Sequence, residues 1–324
     1  MDSKTRFLTA LNNQKPDRVP FNFWMDRRLM EQYEKRIGHR HWRVTHYGAD
    51  VIETFGLLDF PSGRMEEHSG TTWLEEPLFT DWSTIDDLPM PNPDEEKVYD
   101  LVKKDVAEFP DKAVIFDIPT CWGVIAGQMR GYEEVYMDLY THTEEFVKLS
   151  RRITDIQKRM VERVCQMGIT ALYIMEDVST TNGLSMSPQM IEEHCFQYAR
   201  EMIAIADSFG IPTLFHCCGK IPDVLAEMFI GLGVKAINPL QPSVNDTAAF
   251  ASKFAGKLAV YGGLENSFII PQGTPQEIEE HIFKQFELLG KPYGGLIFSS
   301  HDIDIRTPPE NIEAMVAAIK KCAY

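Results

Sequence analysis

Short apolar runs alternate with helical segments along most of this 324-residue chain. Eight of these runs have strand character: VPFNFW, VIETFG, AVIFDIP, TALYIMED, PTLFH, VKAINP, KLAVYGG and LIFSS. Strands that alternate with helices favour a parallel sheet covered by helices, and eight such units predict an α/β fold of the (β/α)8 TIM-like barrel type. An open doubly wound sheet is the alternative, but the glycine-rich phosphate loop typical of that fold is absent from the sequence.

Two segments lie outside this repeat within what we expect to be a single barrel domain, residues 1–324. The start, SKTRFLTALNN, has apolar residues on one side and predicts a helix over about residues 3–13. Residues 62–93 are irregular and rich in Trp, Glu and Pro, which indicates a local insertion of short extended pieces.

Charge and composition exclude several classes of function. The formal net charge of −16 argues against nucleic acid or an anionic membrane as a partner, because both require clustered Lys and Arg. No apolar run reaches the roughly 18 residues that span a bilayer, and the start lacks the apolar core of a signal peptide. We therefore expect a cytoplasmic protein whose six scattered cysteines are reduced thiols, free to bind metal.

Polar side chains stand where the predicted strands end. In chain order they are Asp117, Glu176, Asp177, His216, Cys217, Cys218, Asn238, Gln241, Glu265, His301 and Asp302. In a barrel the carboxyl ends of all strands meet at one mouth, where such enzymes keep their active sites. The sequence therefore predicts one acidic cavity that is able to bind a metal.

His216 and Cys218 flank a single residue in the segment HCCG. In extended backbone, residues i and i+2 face the same way, so both side chains can reach one ion. Imidazole and thiolate together favour zinc over magnesium or calcium. The alternative is a buried thiol beside a hydrogen-bonded histidine.

Two glutamates offer a different ligand set. Glu265 follows two glycines at a strand end, whereas Glu280 lies inside the helix predicted to start near Thr274. That position predicts an outer helical face, for which a solvated carboxylate is the simpler interpretation. His301, in the final run LIFSSHDID, can complete either ligand set.

Large side chains near the strand ends are candidates for the walls of a substrate pocket. They are Trp24, Trp122, Met175 and Tyr261, with Gln241 as a polar member. Ordinary core packing is the alternative for the apolar residues in this set. Glu176 and Asp177 are the candidate catalytic carboxylates.

Several motifs together resemble the uroporphyrinogen decarboxylase-like superfamily over nearly the whole chain: KPDRVPFNFW, HCCG, INPLQP, YGGLEN and SSHDIDIRTPPENI. The resemblance implies a single (β/α)8 barrel. FWMDRRLMEQYE is a poor counterpart of the arginine-rich segment with which the decarboxylase handles its carboxylate-bearing substrate. The corrinoid-dependent methyltransferases of the superfamily are the more similar branch.

The methyltransferase branches imply different zinc ligands. The thiol-methylating branch holds zinc with His-x-Cys and a later cysteine; His216 and Cys218 match the first part, while His301 occupies the position of the cysteine. Methyltransferase I of the anaerobic O-demethylases, the veratrol type that cleaves phenyl methyl ethers, has members with Glu, fourteen residues, Glu, twenty residues, His. Glu265, Glu280 and His301 reproduce that spacing. Both ligand sets stay open from the sequence.

The resemblance implies that zinc polarises the oxygen of a small aromatic methyl ether while a partner corrinoid protein presents Co(I) as the methyl acceptor. Glu176 or Asp177 would protonate the leaving oxygen. The alternatives are a thiol- or folate-directed methyltransferase that takes methyl from a methylated corrinoid protein, a uroporphyrinogen decarboxylase, and a component without chemistry that docks a corrinoid protein.

Overall fold

The computed structural model describes residues 1–68 and 70–324. Its strands are β1 (Val51–Phe55), β2 (Arg64–His68), β3 (Thr71–Glu76), β4 (Ala113–Pro119), β5 (Ala171–Met175), β6 (Ser179–Thr180), β7 (Gly183–Leu184), β8 (Thr213–His216), β9 (Ala236–Asn238), β10 (Ala259–Gly263) and β11 (Leu296–Ser299). Seven of them form one parallel sheet in the order β1-β4-β5-β8-β9-β10-β11. Sequential parallel strands of this kind need a helical crossover between neighbours, as the alternating sequence predicts.

The first predicted strand, within residues 19–25, closes this sheet into a ring. On one side the backbone N–H of Phe298 donates to Pro20 at 2.9 Å, and the N–H of Asn22 donates back to Phe298 at 3.0 Å. On the other side the N–H of Asp50 donates to the carbonyl of Phe21 at 2.9 Å. The segment thus fills the eighth place between β11 and β1, and the predicted TIM-like barrel is confirmed.

Helices cover the outside of the ring. They are α1 (Ser3–Leu11), α2 (Arg27–Ile37), α3 (Trp42–Thr45), α4 (Asp100–Glu108), α5 (Cys121–Val124), α6 (Tyr132–Thr141), α7 (Thr143–Gln166), α8 (Pro188–Ile191), α9 (Gln197–Ser208), α10 (Asp223–Leu232), α11 (Thr247–Phe254), α12 (Ile269–Gln272), α13 (Pro275–Gln285) and α14 (Pro309–Lys321). Short 3-10 segments lie at Trp82–Asp87 and Glu96–Tyr99, and π-helical segments at Ile125–Arg130, Glu192–Phe196 and Phe286–Gly290. Across the described part of the chain, none of the helices combines the length and apolar character needed to cross a membrane.

The inside of the barrel changes from apolar to polar along the strands. Near their amino ends, small residues such as Ala113, Ala236 and Ala259 pack against Phe7 and Leu11 of α1, which closes that end of the barrel. Towards the carboxyl ends, the inward positions are occupied by a polar layer of Asn22, Glu53, Asp117, Tyr173, His216, Asn238 and Tyr261. Because alternate strand residues face inward, this layer lies directly below the mouth.

The predicted insertion at residues 62–93 contains an antiparallel hairpin made of β2 and β3. Two backbone hydrogen bonds fix the base of the hairpin to the π-helical segment: the N–H of Gly63 donates to Gln128 at 2.8 Å, and that of Leu78 donates to Met129 at 2.6 Å. The hairpin is therefore held beside the mouth, next to the chain that leaves β4.

Candidate metal centre

His216, Cys218 and His301 meet at the mouth of the barrel. His216 is the last residue of β8, and Cys218 follows two residues later, as the spacing predicts. His301 lies two residues beyond β11, and the three side chains offer ligand atoms that are all within 4.8 Å of one another. Nε2 of His216 lies 3.1 Å from Sγ of Cys218, and all three residues are partly buried. This geometry allows all three groups to bind one ion.

The chemistry of these donors suits zinc. Burial lowers the pKa of His301, which favours the neutral ring that a metal requires. Burial also raises the pKa of the Cys218 thiol, so the thiolate needs a bound cation to form at neutral pH. Three N and S ligands beside an open pocket are typical of a catalytic zinc site with one free position.

The orientation of the His216 ring is set by Asn238. The amide nitrogen of Asn238 donates to the carbonyl of Tyr261 at 2.6 Å, so its Oδ1 is the atom that lies 2.7 Å from Nδ1 of His216. An amide oxygen only accepts, and Nδ1 must therefore carry the proton. The hydroxyl of Tyr173, 3.1 Å from the same nitrogen, is a second neighbour. The lone pair of Nε2 is thus left facing Cys218.

The loop after β8 holds Cys218 by its backbone. Its N–H donates to Oδ1 of Asp177 at 2.7 Å, and the N–H of Gly219 donates to Oε1 of Gln241 at 2.9 Å. Gly219 has φ of +87°, and a Cβ on it would lie 2.5 Å from the backbone of Thr180. The glycine in HCCG is therefore required by a close approach of two loops.

His301 is positioned by the closing segment of the barrel. The hydroxyl of Ser300 accepts from the N–H of Trp24 and lies 3.0 Å from the carbonyl of the same residue. The N–H of Ile303 also donates to the Trp24 carbonyl, at 3.1 Å. These contacts on either side of His301 fix the chain at the mouth.

A pocket of about 260 Å³ opens beside the three candidate ligands; we call it the His301 pocket. Its walls are Trp24, Tyr173, Met175, His216, Asn238, Ser300, His301 and Asp302. Two of the predicted wall residues, Trp24 and Met175, lie in this set. The pocket therefore places apolar surface next to the metal ligands.

Three other residues predicted for the pocket lie elsewhere. Trp122 is fully buried behind β4, where its ring packs against Tyr136 and Phe146. Tyr261 is also fully buried, in the polar layer, and its hydroxyl donates to Glu53. Gln241 is engaged with the loop of Gly219 and does not line the pocket. Strand-end position alone did not distinguish pocket walls from core.

The two candidate carboxylates differ in environment. Glu176 is only 3% exposed, and its carboxylate is bonded by Thr120 and by the N–H of Gly123 at 2.8 Å, so it braces the start of α5. Burial raises the pKa of Glu176 to about 8, against the effect of the Thr120 hydrogen bond. Asp177 lies closer to the metal ligands, with Oδ1 3.9 Å from Nε2 of His216.

The structure does not bring the predicted Glu265, Glu280 and His301 set together. The Glu265 carboxylate turns to the start of α12, where it accepts from the N–H groups of residues 267, 268 and 269 at 2.7–3.0 Å. Glu280 is exposed on α13 and accepts from the side chain of Gln276 at 2.8 Å. Neither glutamate belongs to the group of possible metal ligands around His301. The exposed position of Glu280 agrees with the solvated carboxylate that the helix geometry predicts.

Two members of the site were missed in the sequence, Tyr173 and Ser300. The signal for Tyr173 is its alternation with Met175 in TALYIMED, which places both side chains on the inner face of one strand. Ser300 gives no signal of its own, because its role depends on pairing with Trp24, which is 276 residues away.

Comparisons with known proteins agree with this architecture. The sequence model of the family described as uroporphyrinogen decarboxylase (URO-D) matches residues 63–322. A methyltransferase from Methanosarcina mazei is similar in structure, with a TM-score of 0.78 and 14% identity over 99% of both chains. A B12-independent methionine synthase from Shewanella sp. W3-18-1, in complex with selenomethionine, gives a TM-score of 0.49 and 11% identity over 91% of this chain and 84% of that chain. None of the curated proteins matches the sequence.

Proposed function

The chain belongs to the uroporphyrinogen decarboxylase family, and from that premise we propose that it is a zinc-dependent methyltransferase. In this proposal it cleaves a small aromatic methyl ether and passes the methyl group to the Co(I) corrinoid of a partner protein. The observation that carries the proposal is the convergence of His216, Cys218 and His301 at the mouth, within 4.8 Å of one another. The structural likeness to a methyltransferase supports the fold, and the site supports the chemistry.

The third ligand favours an ether over a thiol as the methyl-bearing substrate. Two neutral imidazoles and one thiolate leave a divalent ion with a net positive charge, whereas a second thiolate in place of His301 would neutralise it. Bound zinc supplies Lewis acidity for an oxygen that becomes negatively charged as its bond to methyl breaks. The histidine therefore suits polarisation of an ether oxygen.

The residues of the chain orient the ether and limit water at this position. Trp24 and Met175 provide apolar walls, and the guanidinium of Arg43 stacks over the Trp24 ring at 4.5 Å, which fixes that side of the pocket. Asp302 lines the same pocket, and Asp177 lies beside the ligands. In this proposal Asp177 and Asp302 meet the leaving oxygen or its proton, whereas Glu176 stabilises the start of α5.

The walls of the mouth argue against a polycarboxylate substrate. Neither the His301 pocket nor the larger pocket next to β4 is lined by a Lys or Arg among the described residues, and both contain aspartates. Uroporphyrinogen carries several carboxylates, which such a surface repels. The methyltransferase proposal is favoured over decarboxylation on this ground.

The test combines metal content with methyl transfer. Purified protein is analysed for zinc, then supplied with guaiacol or veratrole and with chemically reduced cob(I)alamin in place of the corrinoid partner. We expect about one zinc per chain, together with release of a phenol and formation of methylcobalamin. His301→Ala should lose both zinc and transfer, while His46→Ala, at an exposed position at the end of α3, should keep both.

Four outcomes would contradict the proposal. Full methyl transfer in the presence of a chelator would exclude the metal mechanism. Intact zinc and transfer in His301→Ala would remove the role of that residue. Release of carbon dioxide from uroporphyrinogen would favour decarboxylation, and methylation of a small thiol by methylcobalamin would favour the thiol-directed branch.

A further inference from the structure

A second cavity of about 550 Å³ lies at the mouth between the ends of β1 and β4 and the hairpin; we call it the Asp117 pocket. Most of its surface is apolar and comes from Phe55, Leu58, Phe60, Met65 and Met160. The hairpin contributes Met65, so the insertion forms part of the wall. The volume is sufficient for a small ring-containing molecule.

Asp117 is the inward-facing acid in this cavity, and one of its carboxyl oxygens, Oδ1, is buried without a partner. Across the described residues 1–68 and 70–324, no group donates a hydrogen bond to its buried Oδ1. Glu53, on the neighbouring strand, is 6% exposed and also has one oxygen, Oε2, without a partner. Buried polar atoms without partners are uncommon in folded proteins and indicate a missing ligand or water.

Asp117 and Glu53 lie near a single buried guanidinium, that of Arg43. Burial and the neighbouring Glu53 raise the pKa of Asp117, and the guanidinium of Arg43 opposes this shift. Arg43 also donates to the carbonyl of Phe23 at 2.6 Å. Two interior acids thus share one cation, and the cavity has acceptor capacity left for a donor from outside.

We propose that the Asp117 pocket binds the body of a small ring-containing ligand through a hydroxyl or ammonium group that donates to Asp117, and that it excludes carboxylates. A donor satisfies the free oxygen, and an ammonium group would favour the ionised carboxylate, whereas a carboxylate would meet no cation among the described residues of the wall. The apolar residues around the acid bury the ring.

The register of the sheet connects this pocket with the candidate metal centre. Asp117 is paired with Tyr173, and Pro119 with Met175, across two adjacent strands. Asp117 and Pro119 line one pocket, while Tyr173 and Met175 line the other. Neighbouring strands are about 4.8 Å apart, so one substrate can span both pockets. In this respect the inference rests on the proposed function: an ether oxygen at His301 would place a ring substituent near Asp117.

Calorimetric titration of the full-length protein tests the preference with three probes of similar size: benzyl alcohol, benzylamine and benzoate. We expect the alcohol and the amine to bind at least about tenfold more tightly than benzoate. Asp117→Leu should weaken the alcohol by up to about tenfold, the range for an ordinary hydrogen bond, and the amine by about ten- to a hundredfold, because an ammonium group makes a charged one. Asp117→Asn should retain the alcohol and lose the amine, which separates the two donor types.

The titrations are repeated in His301→Ala, so that binding of benzoate to a metal does not obscure the result. The preference should persist there, which makes it independent of whether zinc or methyl transfer is found. Asp155→Leu, at a position with a side chain 73% exposed on α7, is the matched control and should bind all probes as the unmodified protein does. Thermal melting confirms that each variant is folded. Since the buried Oδ1 of Asp117 has no donor among the described residues, Asp117→Asn and Asp117→Leu should both melt at or above the temperature of the unmodified protein. Equal binding of benzoate and benzyl alcohol, or unchanged binding in Asp117→Leu, would overturn the inference.

Discussion

Oδ1 of Asn238 lies 2.7 Å from Nδ1 of His216, while the other ring nitrogen of that histidine lies 3.1 Å from Sγ of Cys218. One side of the ring is thus occupied by a fixed acceptor, and the other side faces the candidate metal position. The Asn238 amide cannot turn over without losing its bond to the Tyr261 carbonyl. Asn238 thus acts as a positioning group: it selects the tautomer of His216 and thereby affects the zinc affinity of the site.

Replacing Asn238 should therefore weaken zinc binding without removing a ligand. We expect Asn238→Ala to lower zinc affinity by about 10–100-fold, as loss of a hydrogen bond to a ligating histidine commonly does. Asn238→Asp keeps an acceptor for Nδ1 and should lose much less. Competition with a chelator of known affinity measures both variants. Equal zinc affinity in Asn238→Ala and the unmodified protein would show that the ring is oriented by other contacts.

Glu265 and Glu280 were predicted as metal ligands from their spacing. Their alanine variants should differ in stability, and both should keep zinc. Glu265→Ala removes acceptors from three N–H groups at the start of α12, so we expect the free energy of unfolding to fall by about 1 kcal/mol or more. Glu280→Ala, on an exposed helical face, should change it by less than about 0.5 kcal/mol. Denaturant unfolding and zinc analysis of both variants check this. Loss of zinc in Glu280→Ala would revive the alternative ligand set.

The barrel could be predicted because its signal is repeated along the chain. Several strands carry polar residues at or just after their carboxyl ends, and the carboxyl ends of parallel strands share one edge, so the common location of His216, Cys218 and His301 follows from the fold. Even the eighth strand was anticipated, although only a few hydrogen bonds around Phe21 and Phe298 define it.

The sequence did not predict the surroundings of individual side chains near the site, because several partners compete for each side chain. Glu265 stands at a strand end, as a ligand should, but three backbone N–H groups at a helix start capture its carboxylate. Trp122 lies near another strand end, yet the short helix α5 turns it into the outer core. Residue spacing contains no information about such competing partners, which appear only when the loops are placed.

Glu176 should make stability depend on pH in a defined direction. Its pKa is raised from 4.5 to about 8 in the fold, so between these values the folded protein holds a proton that the unfolded chain has released. The free energy of unfolding contributed by this group therefore falls as pH rises through that range, by at most about 1.4 kcal/mol per pH unit. Glu176→Gln lacks this titration. We expect the free energy of unfolding of the unmodified protein, minus that of Glu176→Gln, to fall from pH about 5 to about 8 and to stay constant above that. A value that is constant over the whole range would refute the shift.

The close approach at Gly219 links the loop of Cys218 to the metal site and can be tested by adding a single methyl group. Gly219→Ala places a Cβ 2.5 Å from the backbone of Thr180, in a conformation with φ of +87°. Gly210 is a matched control, since it also has positive φ, +70°, but no atom within 4 Å of an added Cβ. Gly210→Ala should cost only the conformational strain, about 1–2 kcal/mol. Gly219→Ala must in addition displace the loop, so its free energy of unfolding should fall further, and zinc affinity should fall with it because the backbone of Cys218 moves away from Asp177. Equal destabilisation in the two variants, with zinc affinity unchanged, would mean that the loops separate without disturbing the site.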